Sequence, residues 1–341
     1  MDDQPEWLEH LQGNPLPWLL EESDPGVRAA TLIRLMGRAA SDPDVARLRR
    51  AAMKTDPIRS ILDAQDPEGW WAKPGPGYGP KYSGTVWNLV FLAQLGADPT
   101  DKRIQRAASY VLRLCPTSAG GFGCSASGKE RNPPPSATIH CLNGNILRAL
   151  IDFGHLDDPA VQNAADWAAR TITGEGVERW YKSGTSGPGF ACAANEGQPC
   201  AWGAVKELHG LAAVPPSHRT PLIRQALEVG VEFLFSRDPS VADYPMGYGN
   251  TKASSSWFKL GFPSGYITDA LEILEVLNEL AVGKDERLDN ALAWLLDLQD
   301  SNGRWRNRRA YNGKTTVDIE AHNQPSKWVT LRACSAIAAF A

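Results

Sequence analysis

The sequence predicts an all-α protein, an α/α toroid of about six helical hairpins, or (α/α)6 barrel. Two observations predict this class. Apolar helices alternate along the chain with helices that carry a charged face. A unit of the form Gln-x-x-x-Gly-x-Trp closes a helix near both ends, at Gln65–Trp71 and Gln299–Trp305. Its Gly suits the position just past a helix end, and its Asp, Asn and Ser favour a turn. A unit used twice indicates a repeat.

The predicted helices follow one another as hairpins. The first hairpin is Asp24–Gly37, which an Asp-Pro pair opens, and Asp42–Ala64, which we expect to break near Asp56-Pro57. The spacing between apolar helices gives a repeat of roughly 60 residues. The other predicted helices are Ser83–Gly96, Asp101–Leu114, Ile139–Gly154, Asp158–Ile172, Cys200–Ala213, Pro221–Ser236, Ser264–Ala281, Glu286–Gln299 and a last helix from Ser326 to the C-terminus.

The two helices of each pair differ in composition. Ile139–Gly154 and Cys200–Ala213 are apolar on most sides, as inner helices are, whereas Asp158–Ile172 and Glu286–Gln299 carry a charged outer face. Pairs of this kind can close into a ring, for which Pro5–Gln12 would supply the missing outer element. An open superhelix is the alternative arrangement.

Long glycine-rich loops connect outer helices to inner ones and should therefore lie at one rim. Loops of such length within a compact fold are usually functional. We expect one domain, 1–341, with rim loops 69–82, 120–138, 174–199, 246–263 and 303–325.

Composition excludes several classes of function. The net charge of −4 offers no footprint for nucleic acid. The N-terminus lacks a signal-peptide pattern, and no apolar run reaches the ~20 residues of a membrane span. We therefore expect a cytoplasmic protein whose six Cys are reduced or metal-bound. No glycine-rich dinucleotide loop follows a strand, so no nucleotide cofactor is expected.

The Gln-Gly-Trp units resemble the repeats of the terpenoid cyclase and protein prenyltransferase superfamily, which includes squalene–hopene cyclases. Weaker copies lie at Gly120–Phe122 and Gly174–Trp180. Three further stretches are similar to bacterial single-domain members: Ile139–Ile146, Phe262–Leu274 and Pro325–Leu331. The resemblance implies an isoprenoid chain held in an aromatic-lined cavity inside the inner ring.

Aromatic residues are common in the rim loops and in the first turns of the inner helices. Aromatic faces suit carbocations and prenyl tails, although these rings could equally pack loops onto helices. Asn145 would line the cavity or cap its helix. The candidate aromatic ligand contacts are Tyr82, Trp87, Trp180, Tyr181, Phe190, Trp202, Trp257, Phe258, Phe262, Tyr266 and Trp328.

The sequence does not contain the familiar catalytic motif of the superfamily's cyclases. The chain has no Asp-x-Asp-Asp acid, and Asp157-Asp158 is typical of a helix N-cap. The best acid candidate is Asp269, with Glu272 one turn later, because a carboxylate facing a dry cavity would have a raised pKa. A salt-bridged structural role is the alternative. Lys206 and Lys327 would be its partners or would bind an anionic head group.

Four cysteines flank the starts of two consecutive inner helices, at Cys124, Cys141, Cys192 and Cys200. Four thiolates converging at one rim suit tetrahedral Zn²⁺, with His140 as a substitute ligand. Helix N-termini would lower the pKa of Cys141 and Cys200. Buried reduced thiols or disulfides are the alternatives. Cys115 and Cys334 are expected in the core.

These observations lead to a hypothesis of an isoprenoid-processing enzyme, cyclase-like or prenyltransferase-like. The second hypothesis is a non-catalytic toroid that binds an apolar ligand or a protein partner around a structural metal. The third is a carbohydrate-active α/α barrel, which would require two carboxylates facing its cleft. A homo-oligomer or a partner subunit is compatible with each.

Overall fold

The computed structural model describes residues 5–123, 132–176 and 186–340. These residues form α-helices joined by loops and short 3₁₀ turns, with isolated β-bridges but no strand among them. None of the helices in these ranges is long and apolar enough to cross a membrane. The helices are α1 (Leu16–Leu19), α2 (Pro25–Arg34), α3 (Pro43–Ala52), α4 (Ile58–Asp63), α5 (Thr85–Gln94), α6 (Lys102–Leu114), α7 (His140–Asp152), α8 (Pro159–Thr173), α9 (Ala201–Ala212), α10 (Pro221–Phe235), α11 (Ala270–Glu279), α12 (Asp289–Asp297) and α13 (Lys327–Phe340).

The inner helices form a ring, which confirms the α/α toroid. Contacts run from α5 to α7, α9, α11 and α13 in turn, and α13 packs against α2. The N-terminal α1 packs on both α2 and α13, and the backbone N–H of Gln12 donates to Gln299 Oε1 at 2.7 Å. The last inner helix therefore meets the first, and the open superhelix is excluded.

The two complete Gln-Gly-Trp units share one set of hydrogen bonds. The indole N–H of Trp71 donates to Ile61 O at 2.7 Å, and that of Trp305 donates to Leu295 O at 2.8 Å. Each Trp backbone N–H donates to a threonine hydroxyl on the next inner helix. In the weaker copy the backbone N–H of Phe122 donates to an Asn side chain instead. Each unit thus fastens an outer helix end to an inner helix.

Glycines let α7 and α9 approach closely. A Cβ atom on Gly144 would lie 2.1 Å from Lys206 O, and one on Gly210 would lie 2.7 Å from Gly144 O. Because only glycine lacks that atom, these two positions set the distance between the two helices.

The chain before α11 departs from the prediction. The expected helix Ser264–Ala281 begins only at Ala270, and the residues before it enter the ring. Ser264 exchanges two backbone hydrogen bonds with the Gln94 side chain of α5, at 2.7 and 2.8 Å. Gly265 O accepts from Asn145 of α7 at 3.1 Å. Segment 261–268 therefore fills space between inner helices where the resemblance implied a central cavity.

Candidate functional site

An apolar cavity of about 360 Å³ opens at the rim formed by the N-terminal ends of α7 and α9. Trp202, Trp257 and Tyr266 of the predicted aromatic set line it. The described lining contains no Asp, Glu, Lys, Arg or His. Its other residues are Tyr78, Ile139, Cys141, Leu142, Cys192, Ala194, Asn195, Cys200, Ala201, Tyr244, Pro245, Met246 and Ser254.

Three of the four predicted cysteines line this one cavity. Cys141 lies in the first turn of α7, and Cys200 is the N-cap of α9. A narrow hairpin brings Cys192 beside Cys200, because Ala191 bridges Pro199 and the backbone N–H of Cys200 donates to Phe190 O at 2.9 Å. All three cysteines are free thiols, and Cys192 and Cys200 lie close enough for each to shift the pKa of the other through a side-chain hydrogen bond.

The acidity of these thiols differs from the prediction based on helix N-termini. The hydrogen bond from Cys200 lowers the pKa of Cys192 to about 6, against the opposing effect of burial. The same hydrogen bond, together with burial, raises the pKa of Cys200. Burial raises the pKa of Cys141 to about 12. The expected lowering at Cys141 and Cys200 is therefore wrong, because desolvation and the shared proton outweigh the helix ends.

The zinc prediction stays a prediction. Cys124 lies outside the described residues, and within them no three His, Cys, Asp or Glu side chains are placed to hold one ion. His140 is buried, and its Nδ1 lies 3.0 Å from Glu207 Oε2. Its Nε2 has no hydrogen-bond partner in the described part of the chain, and its ring packs on Trp167 and Phe190.

Asp269, the acid candidate, does not line the cavity. It is the N-cap of α11 rather than a residue within the helix, and its Oδ1 accepts from the Glu272 backbone N–H at 3.0 Å. Its Oδ2 lies 3.1 Å from Arg309 Nη2, and Arg332 Nη2 lies 3.5 Å from Oδ1. Of the two roles considered, the salt-bridged one matches this geometry. The Arg309 side chain is 11% exposed in this pair.

Glu272 and Lys206 form a buried ion pair on α11 and α9. Lys206 Nζ also donates to Ser264 Oγ at 2.7 Å. Burial alone would raise the pKa of Glu272, but the positive charges of Lys206, Arg332 and His209 outweigh it and lower that pKa to about 2. Lys327 does not join this group: its Nζ lies 2.8 Å from Glu21 Oε2 near the surface.

The other candidate aromatic residues pack among themselves. Phe262 stacks on Trp328 at a centroid distance of 4.8 Å, and Tyr82 lies edge-on to Trp87 at 5.1 Å. Phe190 packs against Phe233, and Phe258 against Trp294. Asn145 ties α7 to segment 261–268 and does not line the cavity. Trp180 and Tyr181 lie outside the described residues.

Sequence reasoning missed part of the lining, notably Asn195 and Tyr244. Asn195 Nδ2 donates to Pro245 O at 3.1 Å, and its Oδ1 accepts from the backbone N–H of Gly247 at 2.9 Å. This side chain therefore joins two rim loops across the cavity wall. Neither residue lies in an α-helix, so the spacing of apolar residues does not point to it. Their position in long rim loops is the sole feature of the sequence that indicates them.

No protein-family model matches the sequence, and no curated protein matches it either. Among solved structures, an unsaturated glucuronyl hydrolase specific for heparin is 13% identical, covering 93% of this chain and 85% of its own, with a TM-score of 0.48. The unsaturated glucuronyl hydrolase of Bacillus sp. GL1 is 12% identical, covering 98% of this chain and 86% of its own, with a TM-score of 0.48. The type II terpene cyclase MstE from Scytonema, bound to its product merosterolic acid A, is 16% identical, covering 92% of this chain and 86% of its own, with a TM-score of 0.46. Likeness of fold does not select a chemistry.

Proposed function

We propose that this toroid binds an apolar ligand of the isoprenoid class in the rim cavity. The observation that carries the proposal is the described lining, which is mainly aromatic and aliphatic and contains no Asp, Glu, Lys, Arg or His. Its volume of about 360 Å³ falls within the range of small-molecule pockets, roughly 300–1,000 Å³. Trp202, Trp257 and Tyr266 bring aromatic rings to the cavity wall, and such rings pack well against a chain with π-electrons.

The same lining argues against the other chemistries considered. A cyclase with an Asp-x-Asp-Asp acid needs a strong acid at its cavity. Asp269 does not line the cavity and is instead ion-paired with the guanidinium groups of Arg309 and Arg332. A glycosidase needs two facing carboxylates, and the described part of the cavity wall supplies none. The thiols are the reactive groups that this wall does supply. The proposal is therefore ligand binding, with any group transfer dependent on the cysteines.

A pair of matched variants tests the binding proposal. Ala194 lines the cavity, whereas its neighbour Ala193 does not, and both are exposed. Ala194→Trp should fill the cavity and weaken the binding of farnesol and geranylgeraniol, measured by isothermal titration, by at least about tenfold. Ala193→Trp should leave the affinity within about twofold. Absence of saturable binding to the wild-type protein, or equal affinities in both variants, would contradict the proposal.

We further propose that Cys192 and Cys200 contribute two thiolates to the predicted Zn²⁺ site, whose other predicted members are Cys124 and Cys141; Cys141 lines the same cavity but is not placed with them to hold one ion. The pair of Cys192 and Cys200 supports it, because both line one cavity and each shifts the pKa of the other, as neighbouring thiols do. A bound zinc would keep the thiols deprotonated and fasten the rim loops.

Metal analysis of protein purified without chelator tests this second proposal. We expect about one zinc per chain, lost in Cys192→Ser and retained in Cys334→Ser, whose residue is buried on α13 away from the cavity. Less than about half an equivalent in the wild-type protein, or retention in Cys192→Ser, would count against it. Farnesol titration of the same samples keeps the two proposals separate.

A further inference from the structure

A second cavity, of about 190 Å³, lies toward the other end of the ring. It is bounded by α2 and by the C-terminal ends of α5 and α7, whereas the rim cavity is bounded by the N-terminal ends of α7 and α9. On α7, Leu142 lines the rim cavity and Arg148 lines the second one, which places these two lining residues about 9 Å apart along the helix. The second cavity is therefore a distinct site.

Three arginines from three helices line this second cavity: Arg34 of α2, Arg49 of α3 and Arg148 of α7. Arg148 is fully engaged, since its guanidinium binds Asp152 at 2.9 Å and Glu279 at 2.6 Å. Arg34 binds Glu275 through Nη1 alone, at 3.3 Å. Asp152, the one acidic group of the described lining, is turned onto Arg148 through both oxygens.

Arg49 is the group that points to a ligand. It is half-buried in the cavity wall, and across the described ranges its guanidinium makes no hydrogen bond or ion pair. Arg47 on the same helix, whose side chain is 64% exposed, pairs with Asp44 at 3.0 Å. A guanidinium without a partner, beside two others, leaves five N–H donors in a fork that matches an oxyanion.

We propose that this cavity binds a compact oxyanion, a carboxylate or phosphate group, with Arg49 as its principal contact and the free side of Arg34 as its second. The remaining wall fits the non-polar body of such a ligand, because Ala29, Ala30 and Ala93 are small and apolar. The 36% exposure of the Arg34 side chain keeps the site open to solvent. The site does not depend on the proposed ligand of the rim cavity.

The experiment uses inorganic phosphate and benzoate as probes with the full-length protein. Isothermal titration should show saturable binding of at least one probe to the wild-type protein. Arg49→Met keeps the apolar stem and removes the charge, and should weaken that binding by about 10- to 100-fold, the loss expected for hydrogen bonds to a charged group. Arg47→Met, on the same helix but outside the cavity, should change it less than about twofold.

The outcomes separate the alternatives. Weakening confined to Arg49→Met supports the site, and the tighter of the two probes identifies the oxyanion class. Equal affinity in the wild-type protein and Arg49→Met, or no saturable binding of either probe, would overturn it. Farnesol affinity measured on the same variants should not change, so that failure of this site cannot be confused with failure of the rim cavity.

Discussion

Asp269→Asn distinguishes a structural carboxylate from a catalytic one. The substitution keeps the shape of the side chain and an oxygen that can cap α11, but it removes the negative charge between Arg309 and Arg332. Arg332 keeps its ion pair with Glu275 at 2.6 Å and its bond to Gly261 O. Arg309 keeps no ion pair within the described residues, and two of its nitrogens are already buried without partners.

The expected cost follows from that imbalance. Removing one partner of a buried ion pair costs about 3–5 kcal/mol of folding free energy. Asp269→Asn should lie near the lower end of that range, at about 3 kcal/mol, because the helix cap is retained and Arg332 keeps a second partner. For a chain of 341 residues this corresponds to a fall of about 4 °C in the unfolding midpoint.

Urea and thermal unfolding measure the loss, and farnesol titration measures the cavity. We expect the stability to fall and the farnesol affinity to stay within about twofold, because Asp269 does not line the rim cavity. Asp101→Asn is the matched control: Asp101 also caps a helix, α6, and pairs with Arg103, but both side chains are partly exposed, so less than about 1 kcal/mol should be lost. Unchanged stability with lost binding or turnover would refute the reasoning.

Three further predictions concern the same packing. The pKa of Glu272 in the folded protein, about 2, lies below its ordinary value. Its negative charge therefore stabilises the fold above about pH 4.5, and this contribution, about 3 kcal/mol, is lost as the pH falls toward 2. Urea unfolding across that pH range should show a smaller pH dependence for Glu272→Gln than for the wild-type protein. Gly144→Ala places a Cβ 2.1 Å from a carbonyl oxygen and should lower the free energy of unfolding by more than about 2 kcal/mol. In the control Gly26→Ala the nearest atom to the new Cβ would be 3.5 Å away, and the free energy of unfolding should change by less than about 1 kcal/mol. The midpoints of urea unfolding compare the two variants. Thr330→Val removes the acceptor of the Trp305 backbone N–H and should cost about 1–3 kcal/mol in the same assay; no change would mean that water replaces the hydroxyl.

The ring was predictable because helix periodicity and turn residues are local signals. The break near Asp56-Pro57 is confirmed, since α3 ends at Ala52 and α4 begins at Ile58. The start of α11 was not predictable in this way. Residues 264–269 continue the apolar pattern of a helix, but Ser264 and Gly265 bond to α5, α7 and α9, and these contacts between distant parts of the chain override the local pattern.

The site was predictable only in part. Long rim loops placed Cys141, Cys192 and Cys200 together because equivalent loops of a ring are neighbours. Their acidities were not predictable, because the proton shared by Cys192 and Cys200 depends on a hairpin register that the sequence does not display. The partners of Asp269 were missed for a similar reason: Arg309 comes from a loop forty residues away in sequence and looks like one of several surface arginines.

A chain of charged side chains runs from the buried pair of Glu272 and Lys206 to the second cavity. Glu272 pairs with Lys206, His209 lies between Glu272 and Glu279, and Glu279 binds Arg148, which lines the second cavity. Glu272 and Lys206 at one end of this chain are buried, and a buried charge whose partners are fixed is costly to displace. Because the two cavities share no lining residue among those described, effects of substitutions in one should add to those in the other.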